Sequence, residues 1–558
     1  RGFSAGAGFA TNAQVNLGSK RFASLSSISY SNFGDLRQGK NRSEAIGNLG
    51  YRPWYVAQLN GQDSMMVNTD SSLQLGSGYV QYDVLQKFSF VQKPGVRHHL
   101  NLQLSNSGNI DRYDRLTLMS GAKPKFAEWY YGPQKRLLAA YTLELSKATK
   151  CYDNARMILA YQGIEESRMD RRFQNESLNH RIEQLDIFTL NADFMKKMGA
   201  HEFRYGTEAY LNNVKSTAFA ENIYTGVQTV IDTRYPDGGS QMHGAALYVS
   251  HTYEASKKLI INDGIRMSLV GLQAQFDDQT FFPFPFNQIQ QNHLALNGNL
   301  GLIYMPIKKL RVSLNGSTAF RAPNVDDLTK VFESVPGSVI VPNPNLQAEN
   351  AINGEMGVQY KVYKNTNIGA TVYQTWLRNV LTVQRGTFDG VDSILYDGAL
   401  SQVLTTTNAG RAKVYGLEVY LNAKINTNWQ FFASYNYTYG RIATDSVPYP
   451  LDHIAPTFGK LSLLYTPTYR LRIEGFVLYS GAKKMEDYNL IGEDNFAYAT
   501  PNGMPSWYTL NFRVNYNINN QLSIQLACEN LLDRNYRMFA SNISAQGRNF
   551  ILTLRGSF

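Results

Sequence analysis

The sequence predicts a transmembrane antiparallel β-barrel of about 22 strands. Three observations carry that prediction. Segment after segment alternates apolar and polar residues, which gives each strand one apolar and one polar face. Connections alternate between tight turns and long loops, the asymmetry of hairpins that end on opposite sides of an outer membrane. No apolar run approaches the roughly 18–20 residues of a membrane helix, although 43% of the 558 residues are hydrophobic and 13% aromatic. A barrel escapes the helix rule because only alternate residues face lipid, so its mean hydropathy stays low, here −0.33. The 36 Tyr and 29 Phe suit the aromatic girdles at the two membrane surfaces.

The first strand begins within Arg1 to Ala10, with a short loop near Ala10. Leu137, Ala139, Tyr141, Leu143 and Leu145 then oppose Thr142, Glu144 and Ser146. Phe188, Leu190, Ala192 and Phe194 oppose Thr189, Asn191 and Asp193, and Leu417 to Ile425 repeats the pattern. It is clearest near the C-terminus. Tyr508, Leu510, Phe512, Val514, Tyr516 and Ile518 share one face, with Thr509, Asn511, Arg513, Asn515 and Asn517 on the other. Arg513 needs water or a partner, which a water-filled lumen supplies. The chain ends on the alternating run Phe550 to Phe558.

Tight turns rich in Gly, Pro, Asn and Lys are expected near Leu17–Lys20, Lys93–Val96, Ala148–Cys151, Lys196–Ala200, Glu254–Lys257, Pro306–Lys309, Tyr363–Thr366, Asn426–Asn428, Pro467–Tyr469 and Asn517–Asn520. Longer loops fall at about 33–76, 109–135, 166–178, 219–239, 277–290, 322–348, 387–409, 442–454, 482–504 and 531–546. With the short loop near Ala10, these connections imply about 22 strands, the size class that holds a plugged lumen. No linker divides the chain, so residues 1–558 read as one domain.

Several function classes drop out. Cys151 and Cys528 are far apart and support neither a disulfide framework nor a zinc site. The formal charge of +10 comes without a basic block, which argues against nucleic acid; it fits a lumen facing anionic ligands or a surface facing anionic lipopolysaccharide. Gly34 to Asn41 nearly matches a phosphate-binding loop. Asn41 replaces its Ser or Thr, however, and no helix pattern follows. No catalytic Ser/His/Asp or Cys/His signature is present, so the chain reads as a non-enzyme without a resident cofactor. It has no initiating Met or signal peptide, as expected of a chain starting part-way through a precursor or at a processed end.

The stretch from Ser317 to Glu355 carries the most specific signal. Pro323, Pro336, Gly337, Pro342 and Pro344 make it a loop between two strands. It holds two boxes, Phe320-Arg321-Ala322-Pro323 and Asn343-Pro344-Asn345-Leu346, followed by Glu349. With Glu529 to Tyr536 and the terminal Phe558, they resemble the barrel of TonB-dependent outer-membrane transporters; the boxes are most similar to the haem and haemoglobin receptors. The resemblance covers the barrel and none of the plug. It implies a bacterial outer-membrane importer of a scarce iron complex, siderophore or haem. TonB would drive it through a plug domain missing from this chain, and a surface lipoprotein is a further candidate partner. The rivals are a passive porin-like channel and a docking barrel of a surface lipoprotein complex.

Candidate ligand groups follow. Haem iron favours imidazole or phenolate. In the resembled haem receptors a His lies between the boxes, but Asn324 to Pro342 contains neither His nor Tyr. An iron ligand would then come from His180, His243, His293 or His453, each near a long loop; no metal set is defined. Arg321 points opposite to Phe320 and Ala322, so inward. There it would bind an anionic ligand, hold the plug, or pair with Glu349 or Glu355. Trp129-Tyr130-Tyr131 and the run Phe281 to Phe286, centred on Phe284, would stack on flat ligands, or pack loops together.

Overall fold

The computed structural model describes every residue except 282, 336, 364, 397–398, 409, 444–446 and 491–495, and only the backbone at 332–335. Twenty-two antiparallel strands close into a barrel. In order they are Gly2–Phe3, Gly8–Gly18, Phe22–Phe33, Tyr79–Lys93, Val96–Ser107, Lys135–Leu145, Asn154–Arg172, Ser177–Met198, His201–Asn222, Ser240–Ser256 and Leu259–Gln275. The circuit continues through Gln288–Ile307, Leu310–Arg321, Glu349–Tyr363, Thr366–Arg378, Arg411–Lys424, Trp429–Ala443, Phe458–Thr468, Leu471–Ser480, Trp507–Asn517, Leu522–Glu529 and Asn549–Gly556. Each pairs with the next, and the last pairs with the first through Gly2↔Leu552 and Phe3↔Ile551. Closure leaves no unpaired edge, which a sheet in lipid cannot tolerate.

The two faces of the wall follow the alternation. Leu294, Leu296 and Leu300 are 72%, 68% and 57% exposed on the outer face. Phe512, Tyr516, Phe550 and Leu554 are likewise exposed. Such side chains would each lose about 2 kcal/mol in water and are stable only against lipid. On the inner face Arg513 finds its partners, Glu474 at 3.7 Å and Glu529 at 3.9 Å. Asn511 Nδ2 donates to Thr509 Oγ1 at 3.1 Å, and its Oδ1 accepts from the Asn530 backbone at 2.9 Å.

Each expected turn falls between consecutive paired strands, with Lys364 of Tyr363–Thr366 outside the described residues, but two connections differ. The short first loop is Ser4 to Ala7, not near Ala10. More importantly, the expected loop 166–178 is only a turn at 173–176. Strands Asn154–Arg172 and Ser177–Met198 stay paired up to Asp170↔Asn179. Charged residues such as Arg168, Asp170 and Arg181 suggest a loop when read singly. Beyond the membrane, however, a paired strand needs no apolar face, and here the charges pair across it: Arg181 lies 3.2 Å from Asp170.

The Gly34 to Asn41 segment is bound to the C-terminal loop rather than to a helix. Asn535 Nδ2 donates to Gln38 Oε1 and to the Gly39 carbonyl, both at 2.9 Å. The Asn41 amide donates to the Asp533 carbonyl at 3.0 Å.

Above one sector of the barrel the loops build a layer of their own. Ser338–Val341, Ala399–Asn408, Leu381–Arg385 and Ser393–Tyr396 form a sheet with Phe332–Val335. Val339 and Leu346 pack with Leu328, from the short helix Val325–Thr329, onto the inward-facing Leu272, Ala274 and Ile289. The layer therefore folds into the mouth.

Candidate functional site at the lumen mouth

The first box ends a strand and starts a helix. Pro323 lacks the amide that would continue the ladder. Asn324 then caps Val325–Thr329, its side chain accepting from the Asp327 amide while Asp327 accepts from the Asn324 amide, each at 2.9 Å. This reciprocal cap fixes Asp327 beside Arg321. Arg321 donates to Asp327 at 2.7 Å and to its cross-strand neighbour Glu349 at 2.8 Å. Glu349 also accepts from the Leu381 amide at 2.8 Å, fastening the loop after the next strand. Arg321 is thus inward and ion-paired, with Glu349 as expected and Asp327 in addition.

The second box is a fastener. Gln291 Nε2 donates to the carbonyls of Pro344 and Leu346 at 2.8 and 3.0 Å. Asn343 Nδ2 donates to the Thr406 carbonyl at 2.8 Å, and Leu346 enters the loop core. The first box lines one cavity of about 510 Å³, within the usual range of small-molecule sites, and the second is bonded to Thr406, which also lines it. Arg321, Asp327 and Glu349 line one side, Leu377 and Ile442 form an apolar wall, and His453 comes from the loop after strand Trp429–Ala443. His453 adopts φ 63°.

Among the four candidate histidines only His453 reaches this cavity. His293 faces inward on strand Gln288–Ile307 and lies 2.8 Å from Gln291 Oε1. His180 and His243 are on the wall's outer face, a correction to their expected access to a ligand. His180 stacks on Phe219, ring centroids 4.6 Å apart, and lies 3.7 Å from Glu221. His243 shares its face with the exposed Leu247 and Val249. Both side chains follow the register of lipid-facing residues lower in their strands, Phe188 and Leu247.

The aromatic clusters also divide. Trp129 and Tyr131 share the inward face of Asp170 and Arg168, with which they pair, whereas Tyr130 takes the opposite face with Met169. Arg112 lies 5.0 Å from the Trp129 ring and 5.3 Å from that of Tyr131. Phe284 is 8% exposed, stacked on Phe286 at 5.5 Å and edge-on to Phe276 and Phe388. It is loop core, not an open stacking surface; Phe282 is outside the described residues.

Sequence reasoning missed an inward polar network at the same end. Arg181 bridges Asp170 and Asp232, at 3.2 and 3.0 Å. Arg234, Tyr235 and Lys330 converge on Asp326 at 3.2, 2.9 and 2.8 Å. The pair Asp326-Asp327, three residues after Pro323, was the available signal, because acidic residues there mark a helix N-terminus. Burial pushes the Asp326 carboxyl up, but Lys330 and Arg234 outweigh it and hold the group below the usual carboxylate range. A carboxyl depressed in the folded state stabilises it above the unfolded pKa, about 3.9, and loses that contribution as pH falls through the lower folded value. Protease protection of loop 322–348 should therefore persist at neutral pH and fall only below about pH 4. An Asp326→Asn protein should lack that acid step.

Among the described residues no group of three or more His, Cys, Asp and Glu could hold a bare metal ion. A closed 22-strand wall, apolar outside and polar within, with loops folded over one end, defines an outer-membrane barrel of the transporter size class. The chain belongs to the TonB dependent receptor-like β-barrel family, whose model matches residues 59–531. It is 29% identical over 257 residues to the probable hemoglobin and hemoglobin-haptoglobin-binding protein 4 of Haemophilus influenzae, a match spanning 44% of this chain and 25% of that one. It is 25% identical over 247 residues to an iron-regulated outer membrane virulence protein of Vibrio cholerae, covering 43% of this chain and 36% of the relative. The matched segments thus span a quarter to about a third of these relatives.

Two solved structures share the fold over the whole chain. The copper transporter OprC has a TM-score of 0.78 at 13% identity, with 79% of its chain covered. The Serratia marcescens hemophore receptor HasR, solved with its hemophore and heme, has 0.70 at 13%, again with 79% covered.

Proposed function

We propose that this barrel imports haem from the cell surface to the periplasm, with TonB acting through a plug domain seated in the lumen. A ferric siderophore is the alternative iron complex. The observation that carries the choice is the cavity joining Arg321 and Glu349 to His453. Its lining cations, Arg321 and Lys330, are outnumbered by the carboxylates Asp327, Glu349 and Asp452. Arg321 is already engaged by two of those carboxylates. An anionic chelate would have to displace them, whereas an imidazole is a direct ligand for haem iron. The ligand absent between the boxes is thus supplied from the neighbouring loop. The haemoglobin-binding relative and the heme-bound structural neighbour support the same reading.

Haem titrated into the purified barrel in detergent should give a shifted Soret band, and His453→Ala should remove it. His180→Ala and His243→Ala, on the outer face, should leave the spectrum unchanged. A shift lost in His293→Ala instead would move the site down the wall. With no shift at all, and with ferric-siderophore binding weakened about tenfold or more by Arg321→Ala, as loss of a charge-assisted hydrogen bond would do, the cargo would be a siderophore. Binding of neither ligand would sink the proposal.

A further inference from the structure

The charge surplus of this protein is concentrated at one end. The ten tight turns with their flanking residues (17–22, 92–97, 146–153, 196–202, 254–259, 306–311, 361–366, 424–429, 468–472 and 517–522) hold 18 Lys and Arg against three Asp and Glu. Because the whole chain is only +10, everything beyond this rim carries a net −5. The lumen, outer wall and loops taken together therefore do not account for the basic composition. Since short turns of outer-membrane barrels face the periplasm, the rim lies on the periplasmic side.

Among the described residues, few of these cations are spent on internal pairs. Lys196 bonds Asp153 at 2.8 Å. By contrast Lys257, Lys258, Lys308 and Lys309 are exposed and make no ion pair among the described residues. They occupy two adjacent turns, two strands and therefore about 10 Å apart around the wall. Immediately above them the outer face becomes apolar and aromatic: Tyr304 is 48% exposed and Ile307 55%. His201 stacks on Tyr253 with ring centroids 4.4 Å apart, and its Nδ1 lies 2.9 Å from His251 Nε2. His251 in turn lies 3.0 Å from Asp263. An aromatic and hydrogen-bonding girdle marks the depth where hydrocarbon gives way to headgroups. The lysines are one step beyond it, where a long side chain reaches phosphate while its stem stays on apolar surface.

We propose that the arc formed by turns Ser256–Leu259 and Ile307–Leu310 binds anionic phospholipid headgroups of the periplasmic leaflet, the lysines pairing with phosphodiester oxygens. Charge complementarity selects this occupant: polybasic segments beside a membrane favour anionic lipid. The inference is independent of what the barrel transports.

The test is lipid retention by the purified barrel in nanodiscs of phosphatidylethanolamine containing about a quarter phosphatidylglycerol, with bound lipid counted by native mass spectrometry. The intact protein should retain phosphatidylglycerol above its bulk share at low salt. The enrichment should fall as ionic strength shortens the Debye length below about 10 Å. A variant carrying Lys257→Gln, Lys258→Gln, Lys308→Gln and Lys309→Gln should lose enrichment by up to about fivefold per charge removed, whereas the fourfold Lys→Arg variant should keep it. These exposed positions leave heat-modifiable gel migration unchanged, which checks that both variants fold. Equal retention by the intact and Gln proteins would overturn the proposal. So would enrichment unaffected by salt, or binding that follows a periplasmic protein but not lipid charge.

Discussion

Phe284→Ala is expected to release the loop layer from the barrel mouth while leaving the barrel closed. Phe284 sits between Phe286 and Phe388 and against Phe276, in contact with a core that includes Leu272, Leu328 and Val339. Truncating a buried Phe to Ala costs about 3–5 kcal/mol. The layer's apolar core is one small cluster, so that loss is large beside the few hydrogen bonds that also fasten the layer. Loop 322–348 should become protease-sensitive, while unboiled samples still migrate as folded barrels. Because the same layer roofs the Arg321 cavity, ligand affinity should fall as well. Unchanged protection would show that the second box alone holds the loops.

Arg171→Ala should free the hairpin Trp54–Leu59/Gln62–Val67 from the top of strand Asn154–Arg172. Arg171 and Asp63 are each 2% exposed at the side chain. They form a two-pronged pair at 2.8 and 2.9 Å, and Glu128 adds a third bond at 2.8 Å. Removing one partner strands a buried carboxylate, typically at about 3–5 kcal/mol. Hydrogen exchange across residues 54–67 should rise sharply in the Arg171→Ala protein. The Asp63→Ala/Arg171→Ala double variant should lose less than the two single effects combined, since neither charge is then orphaned. Simple additivity would reduce the pair to two independent contacts.

How much was legible depended on whether a feature is periodic. Leu294, Phe512 and Leu554 face lipid because strand side chains alternate, and that rule is local; the barrel, its strand number and Arg321's inward direction follow from it. The same rule places His180 and His243 outside, had it been extended past the membrane. Arg168 to Arg181 reads as a polar loop until its cross-strand ion pairs are known.

The cavity could not be read in this way. Its members come from the strand ending at Arg321, the strand beginning at Glu349, and the loops bearing Val380 and His453, more than 130 residues apart in all. Sequence alone determined the wall, because alternation encodes which side of a strand meets lipid and which meets water. Only the tertiary structure decided that Phe284 is core, that Asp327 shares Arg321 with Glu349, and that His453 shares a cavity with both of Arg321's carboxylates. Each of those facts depends on how separate loops close over the mouth, and loop closure is set by long-range packing that no local period records.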